Sequence, residues 1–280
     1  MTLADRDRSL VSADPTVHAA IGRELITTFF AHLAEGKLEV VHRGEADRGR
    51  AAAEFGFAIH AHHLGRMALD LLDREHVLMT TPTVRACFEH ALTAHWIAQS
   101  TPDAALAVFN HELKQRRAMA KTLQDATIPE FQQAAVKIGN LGDPLVLTGS
   151  DGQAKVFASM LDDFQGGGPD IYAYYRLLCA FTHPRMSVAD AYLCADPGPT
   201  AGGYGLQLEP QAWDRLPWVH IVASCLVWAG SAVRYLQKDK IVRRQHLRDA
   251  AKALGTEPEI HLTAAALSRQ PSQRRTRTVT

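Results

Sequence analysis

The residues whose types and spacing best suit chemistry are Arg176 and His183, seven positions apart in the aromatic-rich segment 174–184. Because seven residues make nearly two helical turns, the two side chains return to almost the same face of a helix. A planar guanidinium matches the shape of a phosphate, and an imidazole can transfer a proton near neutral pH. The pair therefore predicts a phosphate site with a proton-transferring group.

His183 precedes Pro184, and a residue before proline is disfavoured in α geometry, so we expect His183 at the last turn of its helix. Tyr175 and Thr182 flank the pair. At the end of the helix, the His183 imidazole could act as general base towards a ribose 2′-hydroxyl or as general acid towards a leaving oxygen. The alternative is structural: Arg176 pairs with a buried carboxylate, and His183 caps the helix C-terminus, where a cation is favoured.

A second charged pair, Arg85 and Glu89, shares a helical stripe with Leu92 and Trp96. Residues four apart on a helix can bond each other, and a buried pair of this kind is costly unless it is closely matched. One interpretation is a structural ion pair inside a helical bundle. The other is that Arg85 helps to hold an anion while Glu89 fixes its orientation.

The Arg-x6-His spacing in a helical protein resembles the HEPN superfamily (higher eukaryotes and prokaryotes nucleotide-binding). Its members carry an arginine followed after four to six residues by a histidine. The combination of Arg85-x3-Glu89-x6-Trp96 with Tyr175-x2-Leu178-x3-Thr182-His183-Pro184 also resembles a widespread bacterial family of helical proteins. The resemblance covers roughly residues 55–235.

The HEPN resemblance implies a helical bundle that dimerises so that two Arg-His motifs meet, and a metal-independent endoribonuclease that leaves a cyclic phosphate. Many such proteins are toxins or defend against phage, which implies an antitoxin or other protein partner. Carried over to this chain, Arg176 would bind phosphate and His183 would transfer protons. Arg85, Glu89, Tyr175 and Thr182 would support them, and the partner molecule would be RNA or a nucleotide.

A different class of function is equally open at this point. In it the chain is a non-catalytic helical protein that binds a partner or a ligand, and Arg85, Glu89, Arg176 and His183 form one buried polar network. This hypothesis predicts that removing a member of the network lowers the stability of the fold.

Helical periodicity dominates the chain, and no long span alternates as a strand would. We predict an all-α bundle with one helical domain over 15–255, a flexible N-terminus over 1–14 and a mostly flexible basic tail over 256–280. Prolines and glycines predict a long connection near 188–210. Helices are expected at about 16–35, 49–78, 82–99, 103–126, 129–138, 153–164, 170–183, 212–237 and 239–254.

Composition narrows the class of protein. Basic and acidic side chains number 30 each in 280 residues, so any nucleic-acid site must be a local patch. Four widely spaced cysteines without a signal peptide predict reduced, buried thiols in the cytoplasm. The apolar run 216–236 contains Pro217, His220 and Arg234, which favours a core helix over a membrane span.

No phosphate loop, dinucleotide fingerprint or zinc-protease motif is present, so we expect no cofactor. His60, His62 and His63 cluster, but without a matching Glu-x-x-His on another helix we expect solvated or core histidines and no metal site. The most basic stretch is most simply a solvated face and otherwise a surface for RNA phosphates. It comprises Arg234, Lys238, Lys240, Arg243, Arg244, Arg248 and the tail residues Arg269, Arg274, Arg275 and Arg277.

Overall fold

The computed structural model describes residues 13–38, 45–139, 148–165, 168–195, 204–237 and 244–269, and it confirms the all-α bundle. Twelve helices and one two-stranded sheet occur in these ranges. The helices are α1 (Pro15–Ala34), α2 (Glu45–Leu72), α3 (Val77–Gln99), α4 (Pro102–Gln124), α5 (Pro129–Gly139), α6 (Asp151–Lys155), α7 (Phe157–Leu161), α8 (Gly168–Thr182), α9 (Met186–Asp190), α10 (Leu216–Leu236), α11 (Arg244–Leu254) and α12 (Ala264–Ser268).

Helix α10 forms the centre of the bundle. It packs against α1, α2, α3 and α11, and its apolar residues are buried on nearly every side. By length and composition α10 is the one helix in the described ranges that could cross a membrane, and 83% of its apolar window is buried inside the protein. A helix that is apolar all round and enclosed by amphipathic helices is a core helix, as the sequence predicts.

Local chemistry explains the start of α1 and the end of α11. The Asp14 carboxylate accepts a hydrogen bond from the Thr16 backbone N–H at 2.8 Å, and Pro15 occupies the first helical position, where its missing donor costs nothing. Helix α11 stops at Gly255, whose φ of 69° is a left-handed conformation that suits glycine.

The turn between α2 and α3 corrects two predictions. The helix expected over 49–78 ends at Leu72, and Glu75 in the turn adopts a φ of 62°. The next helix starts at Val77 instead of Pro82, and Pro82 lies inside it. Pro82 near the first turn forfeits only one hydrogen bond, so burial of Val77 and Thr81 outweighs its stop signal.

The connection predicted near 188–210 contains regular structure at both ends. Helix α9 is followed by strand β1 (Leu193–Ala195), which pairs antiparallel with β2 (Tyr204–Leu206) in the register Leu193 to Leu206. Residues 196–203, which hold most of the prolines and glycines, lie outside the described ranges. Three-residue strands are too short to leave a detectable alternation in sequence.

The segment predicted to be a flexible tail packs on the bundle as far as residue 269. Ile260 and Leu262 are buried, and Leu262 forms a β-bridge with Phe164. The Trp228 indole N–H donates to the Glu257 carbonyl at 2.9 Å. The prediction from composition is therefore wrong for 256–269, because two apolar side chains fix the backbone. The rest of the predicted tail, and all but two residues of the predicted flexible N-terminus, lie outside the described ranges.

Candidate functional site

Helices α3 and α8 pack together and bring two of the sequence motifs to one edge of the bundle. On α3, the Arg85 Nε donates to the Glu89 Oε1 at 2.8 Å, which confirms the predicted bond between them. The two side chains are 17% and 32% exposed, so the pair lies at the boundary between core and solvent. Such a pair keeps part of its hydration and avoids most of the penalty of a fully buried one.

The end of α8 carries His183 to the same place. Phe181 packs edge-on against Trp213, with ring centroids 4.4 Å apart, and also lies near Trp218. The Trp218 indole N–H in turn donates to the Thr81 hydroxyl of α3 at 2.8 Å. These aromatic contacts fix the last turn of α8 against α3, so the position of His183 is set by partly buried and buried neighbours even though its ring is exposed.

His183 is hydrogen-bonded to Arg85 across 98 positions of sequence, with 2.6 Å between the Arg85 Nη1 and the His183 Nε2. A guanidinium can only donate, so the His183 Nε2 accepts. The ring is then neutral and carries its proton on Nδ1 in this arrangement. Glu89, Arg85 and His183 thus form a continuous polar chain at the surface.

The Tyr175 ring packs against the Arg85 guanidinium of this polar chain. The Arg85 guanidinium carbon lies 5.6 Å from the centroid of the Tyr175 ring, within the range of a cation–π contact. Phe157 of α7 also packs against Tyr175, with the two ring centroids 5.3 Å apart. Burial raises the pKa of the Tyr175 phenol, so it stays protonated at neutral pH. Burial alone would lower the pKa of Arg85, but the Glu89 bond and charge outweigh it and the pKa is raised.

Arg176 and Thr182 do not join the polar chain. Arg176 is exposed on α8 and has no hydrogen bond or ion pair with any described residue. It lies about 100° around the helix from Tyr175, which faces α3. The Thr182 hydroxyl donates to the Leu178 carbonyl of its own helix at 2.7 Å, so it is occupied by the backbone. The site therefore consists of the Glu89–Arg85–His183 chain, and Arg176 is an exposed cation on α8 outside that chain.

The ribonuclease hypothesis drawn from the sequence included neither Phe157 nor a bond between Arg85 and His183. Phe157 reaches Tyr175 through the packing of α7 on α8, and no spacing along the chain indicates that contact. The rival hypothesis did place Arg85, Glu89 and His183 in one network. It expected that network to be buried and to include Arg176, and both His183 and Arg176 are exposed.

The clustered histidines of α2 point to different neighbours. His62 is fully buried, donates from Nδ1 to the Ala58 carbonyl and stacks on Phe29 at 3.8 Å. His63 lies against Arg66, and His60 lies against His90 of α3. Among the described residues no group of three or more His, Cys, Asp or Glu side chains could hold a metal ion. All four cysteines are free thiols, and three of them are buried.

The basic surface proposed for RNA is described only in part. Arg244 and Arg248 are exposed on α11, whereas Arg234 is bonded to Glu259 and Arg269 to Asp163. Lys238, Lys240, Arg243 and the tail arginines beyond residue 269 lie outside the described ranges.

No protein-family model, curated protein or solved structure matches this chain.

Proposed function

We propose that the edge formed by α3 and the end of α8 binds RNA phosphate, and that two copies of the chain cleave RNA there without a metal ion. The observation that carries the proposal is the Arg85–His183 hydrogen bond of 2.6 Å, which holds an imidazole at the surface against a guanidinium group. An exposed histidine fixed by tertiary contacts is rarer than a solvated one, and fixed geometry is what proton transfer in catalysis requires.

Arg176 supplies the free charge for substrate. Because it has no described partner, binding a phosphate there breaks no existing ion pair. A phosphate that approaches Arg85 would compete with the His183 Nε2 for the Nη1 donor, and displacement would free that nitrogen as a base. Binding of the phosphate to Arg85 and release of the His183 Nε2 as a base would then happen in the same step.

The chemistry balances with two imidazoles. One His183 takes the proton of a ribose 2′-hydroxyl, the 2′-oxygen attacks phosphorus, and the bond to the 5′-oxygen breaks. The His183 of the second copy, released from its Arg85 and protonated by solvent beforehand, gives a proton to the departing oxygen, which leaves a 2′,3′-cyclic phosphate and a 5′-hydroxyl. Arg176 and Arg85 stabilise the charge that builds on the phosphorus oxygens. One chain provides one such imidazole, which is why the proposal includes a dimer.

The cellular setting follows from the same HEPN resemblance. A ribonuclease of this kind would act in the cytoplasm as a toxin or in phage defence, restrained by a protein partner such as an antitoxin. Restraint of that kind would act on the exposed edge that holds Arg176 and His183.

The decisive test compares wild type with Arg176→Ala, His183→Ala and Lys121→Ala on mixed single-stranded and structured RNAs in EDTA. Lys121 is an exposed, unpartnered cation on α4 and serves as the charge-matched control. We expect wild type and Lys121→Ala to leave cyclic phosphate ends, and both site variants to lose at least a hundredfold in rate. Cleavage that persists in His183→Ala, or that needs a metal ion, would contradict the proposal.

A second function fits one particular observation. The His183 Nε2 is occupied, and Arg85 is packed on Tyr175, so the polar chain could serve only to join α3 to α8 in a binding protein without catalysis. Here Glu89→Gln would lower the melting temperature by several degrees, since about 1 kcal/mol corresponds to 2–4 °C at this size. Absence of cleavage by wild type together with that loss of stability would favour this function.

A further inference from the structure

An open apolar groove of about 390 Å³ runs between α2, α3 and α4. Phe57, Val108 and Phe109 form its walls, and a smaller hollow of about 280 Å³ continues it along α2. Phe109 is 63% exposed, although an aromatic side chain gains from burial. The volume lies within the range of pockets that bind small molecules.

One end of the groove is polar. His60 of α2 and His90 of α3 meet there with ring centroids 4.7 Å apart. The His90 Nδ1 donates to the Ala86 carbonyl at 2.7 Å, which fixes the tautomer and leaves the lone pair on Nε2. No described residue donates to that Nε2. Burial lowers the pKa of His90, and the neighbouring His60 adds to the effect, so the ring is neutral at physiological pH.

We propose that this groove is a second binding site, for a small uncharged aromatic molecule that carries a hydroxyl group. The aromatic body would lie between Phe57 and Phe109, and the hydroxyl would donate to the His90 Nε2 at the polar end. The free lone pair of the neutral His90 ring accepts from a hydroxyl, and the Glu112 carboxylate, which also lines the groove and accepts from the Arg116 Nε at 2.6 Å, disfavours an anion. The site is independent of RNA cleavage, since neither His60 nor His90 belongs to the polar chain of Arg85.

The small residues of α2 make room for such a molecule. Gly56 lines the groove, and a Cβ added there would meet nothing within 4 Å. Glycine in the middle of a helix weakens the helix relative to alanine. Gly56 therefore costs stability while it keeps the groove open, and that open space is not used by any described side chain of the protein itself.

The test measures binding of 1-naphthol to the full chain by calorimetry, with naphthalene as the matched probe that lacks the hydroxyl. Gly56→Leu should fill the groove and weaken 1-naphthol binding at least tenfold. Gly152→Leu is the control, because Gly152 is also an exposed helical glycine with open space around it but lies outside the groove. Helix content by circular dichroism checks that each variant folds.

The variant His90→Leu tests the contribution of the polar end to binding separately from that of the apolar walls. Loss of one hydrogen bond should weaken 1-naphthol binding about tenfold and leave naphthalene unchanged. The proposal is overturned if wild type shows no saturable 1-naphthol binding, or if Gly56→Leu binds as well as wild type. Equal weakening of both probes by His90→Leu would overturn the assigned role of the Nε2.

Discussion

At the scale of single residues, Glu54 is the side chain that departs most from ordinary behaviour. It is fully buried on α2, and neither carboxyl oxygen has a hydrogen-bond partner among the described residues. Burial raises its pKa from 4.5 to about 9, against the opposing charge of Arg50. Glu54 is thus a neutral carboxylic acid in the folded protein at neutral pH.

Glu54 should make the fold less stable as pH rises. The folded protein holds this proton up to about pH 9, whereas the unfolded chain releases it near pH 4.5, so stability present below pH 4.5 is lost on the way to pH 9. We expect a loss of up to about 1.4 kcal/mol per pH unit between pH 5 and 8, and no such loss from this position in Glu54→Gln.

Urea unfolding of wild type and Glu54→Gln at several pH values measures this difference. Glu130→Gln is the matched control, because Glu130 is exposed on α5 and its removal should leave the pH dependence unchanged. If wild type and Glu54→Gln have parallel stability curves from pH 5 to 8, Glu54 is ionised in the fold and the description above is wrong.

The candidate site shows which residue properties sequence can supply. The bond between Arg85 and Glu89 follows from their spacing on one helix. Helical spacing also places Arg176 and His183 on one face, but His183 follows the last residue of α8 and bonds to α3 instead. A contact between residues 98 positions apart depends on tertiary packing, which spacing along one helix does not encode.

At the scale of elements, helix ends test how far glycine conformation matters. Gly255 ends α11 with φ of 69°, whereas Gly56 lies inside α2 with open space around its Cα. We expect Gly255→Ala to destabilise the protein by about 1 kcal/mol, because alanine is strained at positive φ. Gly56→Ala should stabilise it by about 0.5–1 kcal/mol.

Thermal and urea unfolding of these two variants provides the comparison, and the opposite signs make each variant the control of the other. Gly36, with φ of 67° at the end of α1, should repeat the loss seen for Gly255. A stabilising Gly255→Ala would mean that α11 ends differently in solution.

Most helices could be predicted because their apolar stripes are local, and so are the prolines at the start of several of them. The limits of α1, α4 and α5 and the end of α11 agree with the predicted ones to within two residues, and Asp14 and Gly255 are the signals that fix two of these ends. The break at residues 73–76 was missed because its one unusual conformation falls on Glu75, a residue that carries no turn signal. Which helices pack against α10 could not be predicted, because it depends on which apolar stripes face each other in the folded protein.

At the scale of the whole molecule, the buried His95 and the half-buried His220 should make the fold sensitive to acid. Burial lowers the pKa of His95 and of His220 to about 4, so both rings are neutral in the fold. The unfolded chain protonates them near pH 6.5. Stability should therefore fall as pH drops from 6.5 to 4, by up to about 1.4 kcal/mol per pH unit for each ring.

Unfolding midpoints between pH 4 and 7 test this expectation. His220→Leu should show a shallower decline than wild type, because one of the two titrating rings is gone. His76→Leu is the control, since His76 is exposed in the turn before α3. If the stability of wild type and of His220→Leu falls equally steeply between pH 7 and pH 4, His220 is already hydrated in the fold. Together with Glu54, these rings predict greatest stability at mildly acidic pH.

The segment that follows α11 has a consequence for how the protein is made. The Ile260 N–H donates to the His95 Nε2 at 3.0 Å, and these two residues are 165 positions apart. The Gln99 amide donates to the Ile260 carbonyl, and Tyr235 donates to Glu259. During synthesis α3 leaves the ribosome before this segment, so the His95 Nε2 and the Gln99 amide lack these partners until residue 260 has also left the ribosome. The nascent bundle therefore stays partly open until then, and that interval is when chaperones would have most reason to hold it.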